Sequence, residues 1–249
     1  MDQKLLKEFK ADLHIHTCLS PCSDWEMSPQ KIVRRSLAVS LDLIAICDHN
    51  TAENAGAVMR EGKKQGLGVL PGIEICSKEE VHILALFDEL EPTLAMQDII
   101  YDHLPGKNQP EVFGHQVVAN ESDEVLGENN RLLIGATSLK LHEIVEKTHK
   151  LGGLSLTSHV DRTAYGIIGQ LGFIPPDLKI DGVEVSYRVA LAKARDRLPG
   201  IGNLPCVTAS DAHFLEDIGK VRTVFLMADS SLEEIRRALS GQNGRRILV

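Results

Sequence analysis

Metal-binding side chains recur along this 249-residue chain, each at or just past the end of an apolar run. They stand in His14-Ile15-His16, Asp48-His49, Gly72-Ile73-Glu74, Val81-His82, Ser158-His159 and Ser210-Asp211-Ala212-His213, with Cys22 and Asp24 following the first of these. Imidazole and carboxylate are ligands of zinc and related ions. Strand ends gathered at one mouth are how a barrel builds a site from distant parts of its sequence. In His14-Ile15-His16 the spacing of two puts both rings on one face of a strand, and Asp211-Ala212-His213 repeats it near the other end. A carboxylate such as Glu74 can bridge two cations about 3.5–4 Å apart. Singly, each segment has a plainer explanation. Paired histidines can be surface residues, a lone Glu a solvated loop residue, and His82 and His159 core histidines with satisfied hydrogen bonds. As a set converging on one rim they point to a metal cluster.

The elements that must position them alternate. Strands are predicted at Ala11–His16, Leu41–Cys47, Leu67–Ile73, Val81–Phe87, Leu154–Thr157, Gly182–Ser186 and Cys206–Ala209. The nearly continuous apolar run Leu41–Cys47 is that of a strand buried on both faces. Helices are predicted from Ser28-Pro29 to about Ser40, with Ser as N-cap and Pro at the first helical position. Further helices are predicted from Thr51 to near Gly66, over Pro92–His103, over Leu139–Leu151 before Gly152-Gly153, near Val189–Leu198, and after Ser231. Seven strands alternating with helices imply βα units, parallel pairing and a barrel. An open Rossmann-type sheet is less well matched, because no Gly-x-Gly-x-x-Gly follows a strand. Residues 104–137 break the alternation. There Phe113–Ala119 and Glu124–Ile134 flank the polar turn Asn120–Asp123, which predicts an inserted β-hairpin, a lid or an oligomer contact. The expected organisation is one domain over 1–249 with this insertion.

Composition narrows the classes. Hydrophobic residues make up 43%, enough for a large core. The net charge of −8, from 27 basic and 35 acidic residues, argues against charge-driven binding to nucleic acid or anionic membrane. Aromatics are 4%, which argues against base-stacking platforms. No run reaches the roughly 18 apolar residues of a membrane span, and the charged segment Met1–Lys10 lacks the apolar stretch of a signal peptide. The five cysteines are an odd number, as expected of reduced thiols in the cytoplasm.

With these motifs in view, the chain resembles the PHP (polymerase and histidinol phosphatase) family. The matching segments are Asp12-Leu13-His14-Ile15-His16-Thr17, Cys47-Asp48-His49-Asn50, Pro71-Gly72-Ile73-Glu74, Val81-His82-Ile83-Leu84, Ser158-His159 and Ala209-Ser210-Asp211-Ala212-His213. The resemblance implies a distorted (β/α)7 TIM-like barrel and a metal-dependent phosphoesterase. It implies three divalent ions, of zinc, manganese or iron. His14, His16, Glu74 and Asp211 would hold the first. Glu74 would bridge to a second, completed by His82 and His159. His49 and His213 would hold a third, with one ligand from the loop after the first strand. That loop is longer here than in the family pattern. Counting back from Ser28-Pro29 makes Asp24 the ligand; counting forward from His16 makes it Cys22. Asp24 is the expectation, because a hard carboxylate suits a phosphatase metal; Cys22 would favour a softer ion such as zinc.

Around the metals, Asp48 is the expected catalytic partner of a ligand imidazole, with helix capping as the alternative. Arg162 and Arg188 are the candidate phosphate clamps. The expected substrate is a small phosphorylated metabolite, such as a nucleotide or a histidinol-type phosphate, with no membrane and no duplex nucleic acid as partner. Two alternatives are an amidohydrolase-type C–N hydrolase, for which no strand-end lysine is evident, and a non-catalytic metal-binding module.

Overall fold

The computed structural model describes residues 5–248, so the ends of the expected 1–249 domain and the first four residues of Met1–Lys10 lie outside it. Strands β1 (Lys7–Ile15), β2 (Leu43–Ile46), β3 (Gly68–Cys76) and β4 (His82–Leu86) come first. A separate hairpin, β5 (Val117–Ala119) and β6 (Val125–Glu128), follows. Then come β7 (Leu154–Thr157), β8 (Gly182–Val185), β9 (Cys206–Thr208), β10 (Thr223–Met227) and β11 (Arg246–Leu248).

All but the hairpin form one nine-stranded sheet in the order β11-β10-β1-β2-β3-β4-β7-β8-β9. It nearly closes on itself. Past β9 the chain bridges Ile15 at Ala212: His16 N donates to Ala212 O at 3.0 Å, and Ala212 N to His14 O at 3.2 Å. The ring thus contains the seven strands expected, and β10 and β11 extend it outside the first half of β1. Strand direction departs from expectation. β4 is antiparallel to both β3 and β7. The five residues Ser77–Val81 between β3 and β4 are too few for a parallel crossover, which needs about a dozen. Reversal brings the first residue of β4, His82, to the mouth opposite Cys76.

Helices α1 (Pro29–Ala38), α2 (Ala55–Gln65), α3 (Leu90–His103), α4 (Pro110–Phe113), α5 (Leu141–Lys150), α6 (Ile167–Leu171), α7 (Ala194–Arg197) and α8 (Leu232–Leu239) fill the connections. Ser231 caps α8, its hydroxyl accepting from Glu234 N. Thr51 does not open α2; its hydroxyl bonds Gln97 and Tyr101 instead, and the helix starts after Asn54. The expected helix at 189–198 is a 3-10 turn joined to the four-residue α7.

Strand alternation sorts the core into two clusters. One packs Leu43, Ala45, Cys47, Leu70, Leu84 and Leu156 together, closed by Leu232 and Ile235 of α8. The other packs Ile44, Ile46, Ile73, Ile83 and Val183 against helix residues such as Ile32, Val58 and Ile144. Because side chains repeat every two residues, the first parity leads from Leu70 to Glu74, from Cys47 to His49 and from Leu84 to His82. The stripe that packs the first cluster therefore becomes the stripe of ligands at the mouth.

Candidate metal centre

Glu74 lies inside β3, two residues before its end, and is 1% exposed. Its Oε1 is ringed by His82 Nδ1 at 3.0 Å, His159 Nε2 at 3.2 Å and His14 Nε2 at 3.4 Å. Its Oε2 faces His49 Nδ1 at 3.1 Å and His16 Nε2 at 3.5 Å. Yet Glu74 Oε1, His82 Nδ1 and His159 Nδ1 are buried without a hydrogen-bond partner. A buried carboxylate oxygen surrounded by ring nitrogens at poor hydrogen-bond angles is what remains when a cation is the intended partner.

The tautomers strengthen this. His14 Nδ1 donates to Glu184 Oε2 at 2.9 Å, with both side chains fully buried. His16 Nδ1 donates to Ser20 Oγ at 2.9 Å, and Ser20 Oγ donates to Asp48 Oδ1 at 2.7 Å. In the neutral tautomer, the form that can ligate a metal, each ring turns a bare Nε2 inward. The two Nε2 atoms are 3.1 Å apart, with Asp211 Oδ1 at 3.3 and 3.1 Å. Two facing lone pairs repel unless a positive charge lies between them. Ligand edges of about 3.0–3.5 Å are those of an ion bound at roughly 2.1 Å. His14, His16, Glu74 and Asp211 form one group of convergent ligand atoms, His49, Glu74 and His82 a second, and His16, His49 and His213 a third. The donors fit the divalent ions expected.

The charge balance is that of a cation site. Burial disfavours the imidazolium of His14, but Glu184, Glu74 and Asp211 outweigh it and hold this group well above the ordinary histidine value. Burial, with His213 and His49 nearby, holds His16 well below it. Burial opposes ionisation of Glu74 and Asp211, but the surrounding imidazoles hold both well below the usual carboxylate range. His159 and Asp211 sit at φ +29° and +52°, conformations costly for such residues and frequent at functional sites.

The remaining expected residues divide. Asp48 does not reach the cavity. Its carboxylate accepts Thr17 N, Thr17 Oγ1 and Ser20 Oγ at 2.7 Å each, so it fixes the loop after β1 and acts on His16 only through Ser20. Asp24 is not among the converging ligands. Its Oδ1 accepts Glu26 N at 2.8 Å, stabilising a turn. Cys22 is the loop residue that lines the cavity, beside His49 and His213. Burial opposes its ionisation, but those imidazoles draw the thiol down to about 6. Arg162 lines the cavity too, with Nη1 2.7 Å from Asp211 Oδ2 and a buried, unpartnered Nε. Arg188 is exposed beside Tyr187 and does not line it.

Sequence reasoning missed three participants. Glu184 orients His14, and its Oε1 also accepts His159 N at 3.2 Å; the signal was a charged residue in an otherwise apolar buried strand. Tyr165 stacks on His82 with ring centroids 4.4 Å apart. Ser20 links His16 to Asp48. The cavity, of about 220 Å³, is also walled by Ile134 of the 104–137 segment. Asn50 ties that segment down through Leu133 O and Gly135 O, and Asn54 through Val117 O and Ala119 N.

Comparison with known proteins agrees with this geometry. The PHP domain matches residues 12–165, and a PHP-associated segment matches 202–243. The chain belongs to the PHP family. Its fold is barrel-like α/β. A 5′-3′ exoribonuclease of Haemophilus influenzae is 34% identical over 89 residues, 34% of this chain and 31% of that protein. An uncharacterized protein of Methanocaldococcus jannaschii is 26% identical over 71% of this chain and 80% of its own length. The lesion-specific endonuclease Q of Pyrococcus furiosus superposes over 98% of this chain and 58% of its own, with TM-score 0.74 and 20% identity. The chain thus matches about a third of the exoribonuclease and a little over half of the endonuclease.

One expectation does not survive. A small phosphorylated metabolite, with no membrane and no duplex nucleic acid as partner, was expected, but the proteins this chain resembles include an exoribonuclease and an endonuclease. An endonuclease Q has been solved with a 27-mer duplex carrying an abasic lesion at its active site. Total charge is a poor guide where buried ligands set the charge at the mouth. Among the described residues no helix is long and apolar enough to cross a membrane.

Proposed function

We propose that this chain hydrolyses phosphodiester bonds of single-stranded nucleic acid at a cluster of three divalent ions. His14, His16, Glu74 and Asp211 would hold the first ion. Glu74, His82 and His159, with His49 adjacent, would hold the second, and His49 and His213 the third. Such ions supply Lewis acidity, giving an attacking water at neutral pH and compensating phosphate charge; zinc, manganese and iron all accept these donors. The protein supplies the rest. Glu184 and the Ser20–Asp48 pair fix the two ligand rings of β1. Arg162 keeps one guanidinium edge on Asp211 and lines the cavity, where its positive charge would meet a phosphate. Tyr165 offers a ring, 40% exposed, at the cavity wall.

The observation that carries the reading is the ring of imidazole nitrogens around a buried, unbonded Glu74 oxygen. A strand rather than a metabolite is favoured by exposed aromatic side chains, of which Tyr165 lines the cavity. Trp25, Phe113, Tyr165, Phe173, Tyr187 and Phe214 are exposed, six of the chain's ten Phe, Tyr and Trp. They lie in the 104–137 segment and in the connections that follow β1, β7, β8 and β9. Bases stack on such rings for about 1–3 kcal/mol each, without sequence preference. The 104–137 segment is proposed as an insertion within a single domain that walls this mouth. The cytoplasm is the proposed compartment, consistent with five free thiols. A C–N hydrolase is less well supported, since no lysine lines the cavity.

The test is incubation of manganese- or zinc-replete protein with end-labelled single-stranded RNA, single-stranded DNA and duplex, beside His14→Ala. Shortening of a single strand, absent in the variant, is expected. Intact strands alongside phosphate release from a monoester panel would refute the nuclease reading.

A further inference from the structure

The loop after β1 gives the third position of the cluster a sulfur donor. We propose that Cys22 is a thiolate ligand of the ion held by His49 and His213, which makes that position selective for thiophilic divalent ions such as zinc over manganese or magnesium. The inference rests on the metal centre proposed above and concerns which ion one part of it takes.

Three observations support it. First, the imidazoles already converge: the ligand atoms of His16, His49 and His213 lie within 4.8 Å of one another. The His16 ring stacks 4.1 Å from that of His213 and lies 4.6 Å from that of His49. Cys22 lines the same cavity as His49 and His213. Second, the competing carboxylate is turned away. Asp24 N donates to His213 O at 2.9 Å and its Oδ1 caps the N–H of Glu26, so the backbone of Asp24 supports the site while its side chain leaves it. Ser23 N to Ser20 O and Met27 N to Asp24 O close the two turns that set this register. Third, the other thiols are committed elsewhere. Cys18 donates to Val117 O, Cys47 to Leu13 O, Cys76 to Ser77 O and Cys206 to Val207 O. Cys22 faces imidazoles instead.

Thiolate with two or three imidazoles is a zinc-type donor set, whereas manganese and magnesium favour oxygen. On coordination the S–H bond is lost, the sulfur–metal bond forms and the proton passes to solvent, leaving no redox change. The cluster would therefore be chemically uneven. Two positions hold nitrogen and carboxylate donors around Glu74, and one holds nitrogen and sulfur nearest the solvent.

The test is spectroscopic and needs no turnover. Metal-stripped full chain is loaded with Co²⁺ and its near-ultraviolet spectrum recorded, beside Cys22→Ser and Asp24→Ala. A sulfur-to-cobalt charge-transfer band in the wild type and in Asp24→Ala, absent in Cys22→Ser, is expected. Cys22→Ser should also bind zinc roughly 10–100-fold more weakly at one position with little change in manganese affinity. The circular dichroism of the metal-free variant should match the wild type, since Cys22 is exposed. Cobalt bound with no charge-transfer band, or a band retained in Cys22→Ser, overturns the ligand and leaves the metal centre standing. No cobalt bound at all overturns both.

Discussion

Glu184 offers the sharpest perturbation, because its carboxylate meets the expected ligands only through hydrogen bonds from the His14 ring and the His159 backbone N–H. His14 Nδ1 donates to its Oε2 at 2.9 Å with both groups fully buried. Glu184→Gln keeps the shape but removes the charge. A hydrogen bond to a charged partner contributes about 1.5–3 kcal/mol and a neutral one about 0.5–1.5, so the direct loss is roughly 1–1.5 kcal/mol. The ring also becomes less basic and freer to take the wrong tautomer. Losses of outer partners of metal-bound histidines cost about 10–100-fold in affinity, or roughly 1.4–2.8 kcal/mol. The assay is metal competition against a chromophoric chelator, with thermal unfolding of the metal-free protein as control. The expected result is tenfold or weaker binding at one position and a near-unchanged metal-free fold. Wild-type affinity in Glu184→Gln would refute the argument that this carboxylate sets the His14 tautomer for metal. A collapse of the metal-free fold would show that Glu184 acts on stability instead.

Other outcomes follow from single contacts. Arg162→Ala should lower kcat/KM by about 10²-fold, the scale of one lost transition-state donor, without altering metal content, whereas Arg188→Ala should stay within about twofold; steady-state kinetics with metal analysis separates the two. A Cβ at Gly166 would lie 2.4 Å from Arg162 O and 2.9 Å from His159 O. Gly166→Ala should therefore destabilise by about 1–3 kcal/mol and disturb both residues, read as a lower Tm together with lower activity. Burial pushes Asp12 up to about 6 although Ser210 N and Gly219 N donate to it. A carboxyl raised in the folded state holds its proton more tightly there than in the unfolded chain. It therefore favours folding at low pH, and that contribution is lost as the pH rises through about 6. Urea unfolding of metal-free protein between pH 5 and 8 should show the wild type losing on the order of 1 kcal/mol relative to Asp12→Asn; parallel curves would contradict this.

The seven ring strands were legible because buried strands read as apolar runs, and their ends carried residues unlike their interiors. β10 and β11 were not, since they add outside the ring, where β10 is buried only at every second residue and β11 is nowhere fully buried. The reversed β4 was legible in principle, its five-residue link being too short for a crossover. The shared position of eight of the ligand candidates could be read, but not the register of a loop. Counting from its two ends gave Asp24 and Cys22, and spacing does not show the turns at Ser20–Met27 that put Cys22 on the cavity wall and turn the Asp24 carboxylate to Glu26 N. Asp48 illustrates a different limit. A buried Asp beside a ligand His could bond the ring or the loop, and the sequence does not show that Thr17 and Ser20 would claim all of its oxygens. Glu184 was visible and went unread, a lone carboxylate in Gly182-Val183-Glu184-Val185.

The central claim is that a metal cluster built on Glu74 hydrolyses a phosphodiester. Its most direct test is to strip the protein of metal, supply labelled single-stranded RNA and DNA, and titrate manganese or zinc back into wild type, Glu74→Gln and Asp24→Ala. Cleavage should appear with added metal in the wild type and in Asp24→Ala, and in Glu74→Gln it should stay absent at every metal concentration. Cleavage without metal, or undiminished in Glu74→Gln, would contradict the claim.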